Sequence, residues 1–310
     1  MARFYFCQKN TYPLTIKEEK MDIKAIFLGL AFAFMWSSAF TSGSIIVSSA
    51  PPLTSLAIRF LISGLIGILL AKRLGQNWNL TRNQWVATFI FGIFQNAIYL
   101  GLTFVAMQTI EASLAAIIAS AMPLMVGLSG WLIFKEKIST FGFTGLIAGT
   151  LGVLLIMGTR ISGGVDFFGL TVSVIGMFAL TFATLAIRGA SSGGNLLMIV
   201  GLQMLVGSVV LFGVSSQIET YSVDYSWMLL GAFSYTTLVP GLLATWIWFI
   251  LVDRIGAVRA STFHFLNPFF GVVIAAIILG ESITIMDGVG VVIIAAGILV
   301  VQLSRIESLK

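Results

Sequence analysis

Two ionisable side chains, Arg59 and His264, stand well inside long apolar stretches of the sequence. Charges at such depth in an apolar environment are costly and are usually kept for function. The acidic residues instead fall at or near the ends of the stretches. A cavity with cations and no central carboxylate should favour neutral, zwitterionic or anionic solutes, and we expect Arg59 or His264 to bind a solute carboxylate. The acidic residues concerned are Glu111, Glu136, Asp166, Asp253, Glu281 and Asp287.

Both residues also have structural alternatives that the sequence leaves open. Arg59 could form a structural pair with Glu111 or with backbone carbonyl groups. His264 could make an interhelical hydrogen bond as a neutral ring. Histidine also titrates near neutral pH, which would permit a role in proton coupling.

Aromatic, hydroxyl and amide side chains occur at the same depth as these two residues. A rise of about 1.5 Å per residue places them near the middle of their apolar stretches. Prolines interrupt three of the stretches, where they free backbone carbonyl groups and permit kinks. We therefore predict a central binding cavity. Its candidate lining residues are Trp36, Ser37, Arg59, Asn96, Tyr99, Tyr235, His264 and Asn267, and its kink or gating residues are Pro123, Pro240 and Pro268.

The apolar stretches are long enough to cross a membrane as helices. Hydrophobic residues make up 58% of the chain, charged residues make up 9%, and the mean hydropathy is +1.04. Runs of about 20 apolar residues predict transmembrane helices rather than barrel strands. We predict an all-α membrane protein with ten transmembrane helices, at 25–47, 52–72, 84–105, 110–134, 140–158, 166–188, 193–214, 226–250, 256–280 and 284–304.

The ten spans form two copies of one five-helix unit. A proline, a glutamate and two glycines recur at a constant separation of 145 residues, which indicates a duplication. We assign 25–158 to the first repeat, 166–304 to the second and 305–310 to a cytoplasmic tail. Residues 1–24 form a cytoplasmic extension, and the functional chain could begin at Met21. The matched pairs are Pro123 with Pro268, Glu136 with Glu281, Gly145 with Gly290 and Gly152 with Gly297.

Each repeat carries a Glu-x-Ile-(Ser/Thr) motif before its last helix, from Glu136 to Ser139 and from Glu281 to Thr284. A glutamate and a hydroxyl at the start of a helix are typical of capping and dipole compensation. Gating or coupling is the alternative role. The small-residue spacing of the helix that follows, from Gly145 to Gly149, favours close packing against the other repeat, with homodimerisation as the alternative.

The distribution of positive charge predicts the orientation. Nearly all Lys and Arg residues outside the spans lie on the side of the N-terminus, and Arg160 is the exception. Both termini are therefore predicted to be cytoplasmic. Because each repeat has an odd number of spans, the second copy must be inverted. Inverted repeats are typical of secondary transporters.

This arrangement resembles the EamA branch of the drug/metabolite transporter superfamily over about 25–304. The resemblance lies in ten spans in two halves, the central prolines, the duplicated Glu-x-Ile-(Ser/Thr) motif, and the glycine-rich helices GFTGLIAGTLG and DGVGVVIIAAG. It implies a small-metabolite permease of the bacterial inner membrane, often an exporter of amino acids. The first helix, AIFLGLAFAFMWSSAFTSGS, lacks the carboxylate that small multidrug pumps of the superfamily use, which argues against cation-for-proton exchange.

The expected mechanism is alternating access, with helices 1–4 and 6–9 lining the cavity and helices 5 and 10 packing the halves together. Amino acids or aromatic, zwitterionic compounds are the leading cargo, and sugars, nucleobases or drugs are the alternative. One histidine without a central acid argues against an enzyme, and a channel would need a charged ring or a carbonyl filter. We expect no cofactor, metal, ATP or nucleic acid. The expected partners are a small solute and the lipid bilayer, and the chain is expected to be a monomer or a weak homodimer.

Overall fold

The computed structural model describes residues 23–133, 135, 139–186, 193–255, 260 and 262–307. The predicted extension before residue 23, Glu136 and the last three residues lie outside this part. Regular structure within these ranges is entirely helical. In chain order the helices are α1 Ile23–Val47, α2 Pro52–Arg73, α3 Arg82–Ala106, α4 Ala112–Leu132, α5 Thr140–Ser162, α6 Phe167–Ala186, α7 Leu196–Ile218, α8 built from Trp227–Leu238, Val239–Leu243 and Ala244–Ile255, α9 built from Thr262–Leu266 and Asn267–Leu279, and α10 Ile285–Glu307.

Nine helices in the described part of the chain are long and apolar enough to cross a membrane. They match nine predicted spans to within a few residues, although α5 continues past the predicted residue 158 to Ser162. The predicted span 256–280 differs more. Its described residues form a single 3-10 turn, Thr262–Leu266, followed by the 13-residue helix Asn267–Leu279. Pro268 lacks a backbone N–H, so it is accommodated in the first turn of that helix rather than in its interior.

Irregular backbone interrupts three helices near their middles. In α4 the helix breaks at Ala121, two residues before Pro123, and continues from Met122. In α3 the segment Gly92–Tyr99 is π-helical, and in α8 a shorter π-helical segment, Val239–Leu243, contains Pro240. Such segments are frequent at functional sites because they reposition side chains and free backbone groups.

The helices α5 and α10 pack against each other along a seam of glycines. A Cβ atom at Gly297 would lie 2.5 Å from the backbone nitrogen of Gly149 and 2.8 Å from the carbonyl oxygen of Gly145. A Cβ atom at Gly290 would lie 3.2 Å from the carbonyl oxygen of Gly152. Only bare backbone allows this approach, and close approach is what stabilises helix pairs in lipid.

Helix ends are capped by side chains close in sequence and by side chains far away. The Ser139 hydroxyl accepts a hydrogen bond from the Gly142 N–H at 3.1 Å, and the Thr284 hydroxyl accepts one from the Asp287 N–H at 3.1 Å. The Glu281 carboxylate instead reaches the first turn of α4, where it accepts the N–H group of Ala112 at 2.7 Å. The glutamate therefore does compensate a helix end, but the helix is α4 rather than the one that follows it.

Carboxylate capping between distant helices also occurs at α2. Both oxygens of Glu219, at the end of α7, accept hydrogen bonds from the first turn of α2, at 2.7 Å from the Leu53 N–H and 2.8 Å from the Thr54 N–H. These N–H groups have no partners within their own helix. The two glutamates thus tie α7 to α2 and the start of α10 to α4.

Candidate substrate cavity

A cavity of about 370 Å³ lies between the helices. Eight helices, α1–α4 and α6–α9, contribute to its wall, whereas α5 and α10 contribute none of its described residues. Its irregular parts are the π-helical segments of α3 and α8 and the break in α4. The aromatic lining residues are Phe32, Trp36, Phe40, Phe60, Phe91, Tyr99 and Trp248, and the polar ones are Arg59, Gln95, Asn96, Ser120, Thr184, Gln203, Thr245, His264 and Asn267.

The structure brings most of the sequence-derived candidates together in this wall. The candidates that line the cavity are Trp36, Arg59, Asn96, Tyr99, Pro123, Pro240, His264 and Asn267. Ser37, Tyr235 and Pro268 lie outside it. The Ser37 hydroxyl is buried and donates to the carbonyl oxygen of Asn267 at 3.2 Å. The Tyr235 hydroxyl lies 2.8 Å from the Ser38 hydroxyl, so it ties α8 to α1 instead of facing the cavity.

Arg59, within α2, is the one arginine or lysine among the described residues of the cavity wall. The residue is only 6% exposed, and its Nε atom is buried without a hydrogen-bond partner in the described structure. Its guanidinium carbon lies 5.3 Å from the centre of the Phe60 ring. Gly241 of α8 approaches the guanidinium closely, since a Cβ atom there would lie 3.7 Å from Nη2 of Arg59 and 3.3 Å from the Ser63 hydroxyl oxygen. A buried guanidinium with unused donors is suited to bind an anionic group.

The suggested pair of Arg59 with Glu111 is wrong. The partner of Glu111 is Arg160, whose Nη1 atom donates to the Glu111 carboxylate at 2.5 Å while Nη2 donates to Asp287 at 3.0 Å. Arg160 comes from the last turn of α5, and Glu111 and Asp287 come from the starts of α4 and α10. The three charges therefore compensate one another at one end of the helices, and Glu111 is not the partner of Arg59.

His264 lies among three aromatic rings. Its ring centre is 5.2 Å from that of Trp248, 5.3 Å from that of Phe32 and 6.5 Å from that of Trp36. Its Nδ1 atom lies 2.9 Å from the Nδ2 atom of Asn267. With the amide as donor, Nδ1 accepts and the imidazole is a neutral ring with its proton on Nε2. This arrangement favours the neutral-ring alternative, but the hydrogen bond lies within α9 and is not interhelical.

Three amide side chains of the wall make no hydrogen bond to the described part of the chain: Gln95, Asn96 and Gln203. Gln95 and Asn96 are in the π-helical segment of α3, and Gln203 faces them from α7. Asn96 is buried and the two glutamines are partly buried, so these amides need partners, which a solute or water entering the cavity can supply. Gln203 and Trp248 were missed as candidates. A glutamine within an apolar span was a usable signal for Gln203, whereas nothing local distinguishes Trp248 from the other tryptophans.

The segment that follows α3 is bonded to the residue that precedes α6. The Thr109 hydroxyl donates to the Asp166 carboxylate at 2.7 Å, and the same carboxylate accepts the Gly169 N–H at 2.6 Å. Both bonds hold the pKa of Asp166 below its ordinary value, and the bond from the Gly169 N–H has the larger effect. The carboxylate is therefore ionised at neutral pH and the junction is intact.

A helical bundle with nine membrane-crossing helices in its described part, enclosing a central polar and aromatic cavity, defines a multi-pass membrane protein that binds a small molecule. The EamA-like transporter family matches residues 23–158 and again residues 167–303. The chain belongs to this family of transporters. Its substrate is accordingly a small molecule carried across a membrane, and it is not an enzyme.

Curated relatives and a solved structure agree with this assignment. The uncharacterized transporter YvbV of Bacillus subtilis is 23% identical over 275 residues, which are 88% of this chain and 90% of the relative. Protein PecM of Dickeya dadantii is 23% identical, covering 87% and 91%, and the uncharacterized inner membrane transporter YedA of Escherichia coli is 24% identical, covering 89% of each. A solved structure titled "Crystal structure of protein" matches with a TM-score of 0.67 at 17% identity, covering 91% of this chain and 98% of the other, and so shows the fold alone.

Proposed function

We propose that the chain is a secondary-active exporter of small zwitterionic or anionic metabolites, most of all amino acids and aromatic compounds. One observation carries the proposal. Arg59, which is 6% exposed, faces a cavity whose described wall contains no carboxylate, and its Nε atom has no partner. A solute carboxylate would satisfy the guanidinium, while a cationic solute would be repelled by it.

The remaining wall fits an aromatic or zwitterionic solute. The rings of Phe32, Trp36 and Trp248 surround His264 and offer apolar faces for stacking. The amide oxygens of Gln95, Asn96 and Gln203 can accept hydrogen bonds from an ammonium or hydroxyl group. The cavity therefore offers a different group to each end of an amino acid.

The proposed mechanism is alternating access between two inverted five-helix halves, 25–158 and 166–304, with both termini cytoplasmic. Contacts of equivalent residues support it. Gly145 lies against Gly297 and Gly152 lies against Gly290, and these two contacts exchange under the repeat of 145 residues. The π-helical segments of α3 and α8, Gly92–Tyr99 and Val239–Leu243, also fall at equivalent positions of the two halves. In such proteins, one helix bundle rocks or gates against another around the binding site, and this motion exchanges the open side.

We further propose that the protein acts as a monomer in the bacterial inner membrane and does not use ATP directly. The glycines Gly145 and Gly149, which could form a dimer seam, already pack against Gly297 of the same chain. The sequence contains no phosphate-binding GxxxxGK(S/T) motif. A relative of E. coli is named an inner membrane transporter, which supports the location.

Counterflow in proteoliposomes tests the substrate class. Vesicles preloaded with single amino acids should take up the same labelled amino acid, and Arg59→Gln should raise the half-saturating concentration about tenfold or more, equivalent to about 1.4 kcal/mol. Arg59→Lys should retain part of the affinity because it keeps the charge but loses the planar donors. Arg73→Gln, at the exposed end of the same helix, is the matched control and should behave as the parent protein.

The same experiment can reject the proposal. Exchange of sugars, nucleobases or neutral drugs without exchange of any amino acid would show that the substrate class is wrong. Unchanged affinity for an amino acid in Arg59→Gln would show that the carboxylate is bound elsewhere, and His264→Ala would then be the next variant.

A further inference from the structure

Three cavities follow one another along α1 and α3. The central cavity and a small pocket of about 40 Å³ share Trp36, Phe40, Arg59 and Tyr99, and the small pocket extends to Met107. Beyond it lies a third space of about 460 Å³, which we call the vestibule and which is lined by hydroxyl, amide and carboxylate groups. The central cavity and the vestibule both have polar and apolar lining residues, and a polar solute leaving Arg59 along this line would reach the hydroxyl, amide and carboxylate groups of the vestibule.

The small pocket ends at apolar, buried side chains on the side of the vestibule, because Met107 lines the small pocket and the next residue, Gln108, lines the vestibule. Phe40, Phe104 and Met107 are 6%, 3% and 5% exposed. Phe104, in the last turn of α3, and Met107, directly after α3, rest on Gly43 of α1, since a Cβ atom there would lie 2.9 Å from the Met107 methyl carbon and 3.3 Å from the Phe104 ring. A dry, apolar constriction is a barrier to water and to polar solutes until it widens.

We propose that Phe104 and Met107, seated on Gly43, form the gate between the substrate cavity and the vestibule. We call these three residues the Gly43 gate. The proposal rests on the alternating-access function proposed above and assigns to it residues that act on the solute path. Arg59 borders the small pocket directly behind the gate, so a bound carboxylate lies next to the barrier that it must cross.

The contacts between α3 and α6 indicate which helices move together when the gate opens. The segment that follows α3 is bonded to the residue that precedes α6, through Thr109 and Asp166. The two helices also touch closely along their length, where a Cβ atom at Gly169 would lie 3.2 Å from the Ala106 carbonyl oxygen and one at Gly176 would lie 3.2 Å from that of Tyr99.

At the gate, α1 and α3 are held together by apolar packing. There, side chains rest on a glycine, and no side-chain hydrogen bond between described residues joins the two helices at the gate. We therefore infer that α3 and α6 move together and that the gate opens at the α1–α3 contact. Small residues at the α3–α6 contact keep that pair tight, and the apolar gate contact can separate without breaking hydrogen bonds.

Thiol labelling tests the gate without knowledge of the substrate. On a Cys7→Ser background, Ser48→Cys places a thiol in the vestibule and Gln95→Cys places one in the central cavity. A charged, membrane-impermeant methanethiosulfonate is added to one face of membrane vesicles and, separately, to the other. Ser48→Cys should react from one face, and Gln95→Cys should react from that face about tenfold or more slowly, as expected for a gate that opens only in a minor state.

Gate variants should then remove the difference. Met107→Ala and Phe104→Ala, each combined with Gln95→Cys, should increase the rate of labelling from the vestibule face about tenfold. This increase equals the factor by which the closed gate slows labelling of Gln95→Cys. The matched control is Phe94→Ala on the same helix, whose ring packs 4.5 Å from that of Phe182 and lines none of the three spaces. It should leave the labelling rate unchanged. Unaltered labelling of Ser48→Cys verifies that each variant is folded. If Phe104→Ala is unstable, the labelling rate with Met107→Ala alone tests the gate.

Two outcomes would overturn the gate: equal labelling of Gln95→Cys from the vestibule face with the intact gate, or gate variants that label no faster than Phe94→Ala. Failure of the proposed substrate class is distinguishable, because it changes counterflow and leaves the labelling pattern intact. A reversed orientation of the chain would exchange the two faces and keep the order of the sites.

Discussion

The carboxylate of Glu281, which begins the Glu-x-Ile-Thr motif, accepts the backbone N–H of Ala112 at 2.7 Å and so caps a helix that starts 169 residues earlier. Its second oxygen accepts the next N–H group, that of Ser113, at 3.0 Å. One side chain therefore satisfies two donors at the N-terminus of α4, a helix that lines the cavity. A motif that looks local in sequence fixes the position of a distant helix.

Glu281→Ala should destabilise the protein by about 1 kcal/mol or somewhat more, since both capping bonds and a favourable charge at a helix N-terminus are lost. Thermal unfolding of the purified protein in detergent would show a lower midpoint. Asp224→Asn is a suitable control, because that residue is exposed and its hydrogen bond to the Ser49 carbonyl oxygen comes from its backbone N–H. An equal midpoint for the two variants would contradict the capping role.

Arg160→Met should destabilise the protein by about 3 kcal/mol, because Asp287, whose side chain is 1% exposed, loses the cation that compensates its charge. Adding Asp287→Asn should restore part of this stability by removing the stranded charge. A double-mutant cycle of unfolding midpoints measures the coupling. Additive effects of the two substitutions would mean that the ion pair contributes little in the membrane protein.

Gly297→Ala should destabilise the contact of α5 with α10 by about 1–3 kcal/mol, because the added methyl group meets backbone atoms of Gly149 and Gly145 that cannot move aside independently. Gly288→Ala, on the same helix, has open space around its Cβ position and should be neutral or slightly stabilising. Size-exclusion chromatography after heating compares the two. A Gly288→Ala protein that is the less stable of the pair would argue against the glycine seam.

Tyr235→Phe should reduce stability by about 1 kcal/mol through loss of the contact with the Ser38 hydroxyl, yet leave the affinity for substrate unchanged. Trp36→Ala should lower the affinity for substrate and leave stability nearly unchanged, because that indole lines the cavity. Counterflow at a series of substrate concentrations, together with unfolding midpoints, separates the two effects. A large loss of affinity in Tyr235→Phe would return Tyr235 to the binding site.

Much of the candidate site could be predicted because depth in an apolar span is a local property. Counting residues along each helix placed Trp36 and Asn96 at the level of the cavity and Tyr99 one turn further out, and all three line it. Counting does not give the rotation of a helix about its axis. Ser37 and Tyr235 have the right depth but face neighbouring helices, and Gln203 faces the cavity from a helix to which no candidate was assigned.

The sequence by itself determined the membrane-spanning helices, the repeated glycines and the position of Arg59 within an apolar span, because hydropathy and spacing are properties of neighbouring residues. Only the tertiary structure decided the partners. Glu111 could have paired with either arginine, and it pairs with Arg160, 49 residues away, while the same guanidinium reaches Asp287, 127 residues away. Such choices depend on how helices cross and rotate. That geometry is set by packing of the helices together, and it is this packing that leaves Arg59 at the cavity without a partner among the described residues.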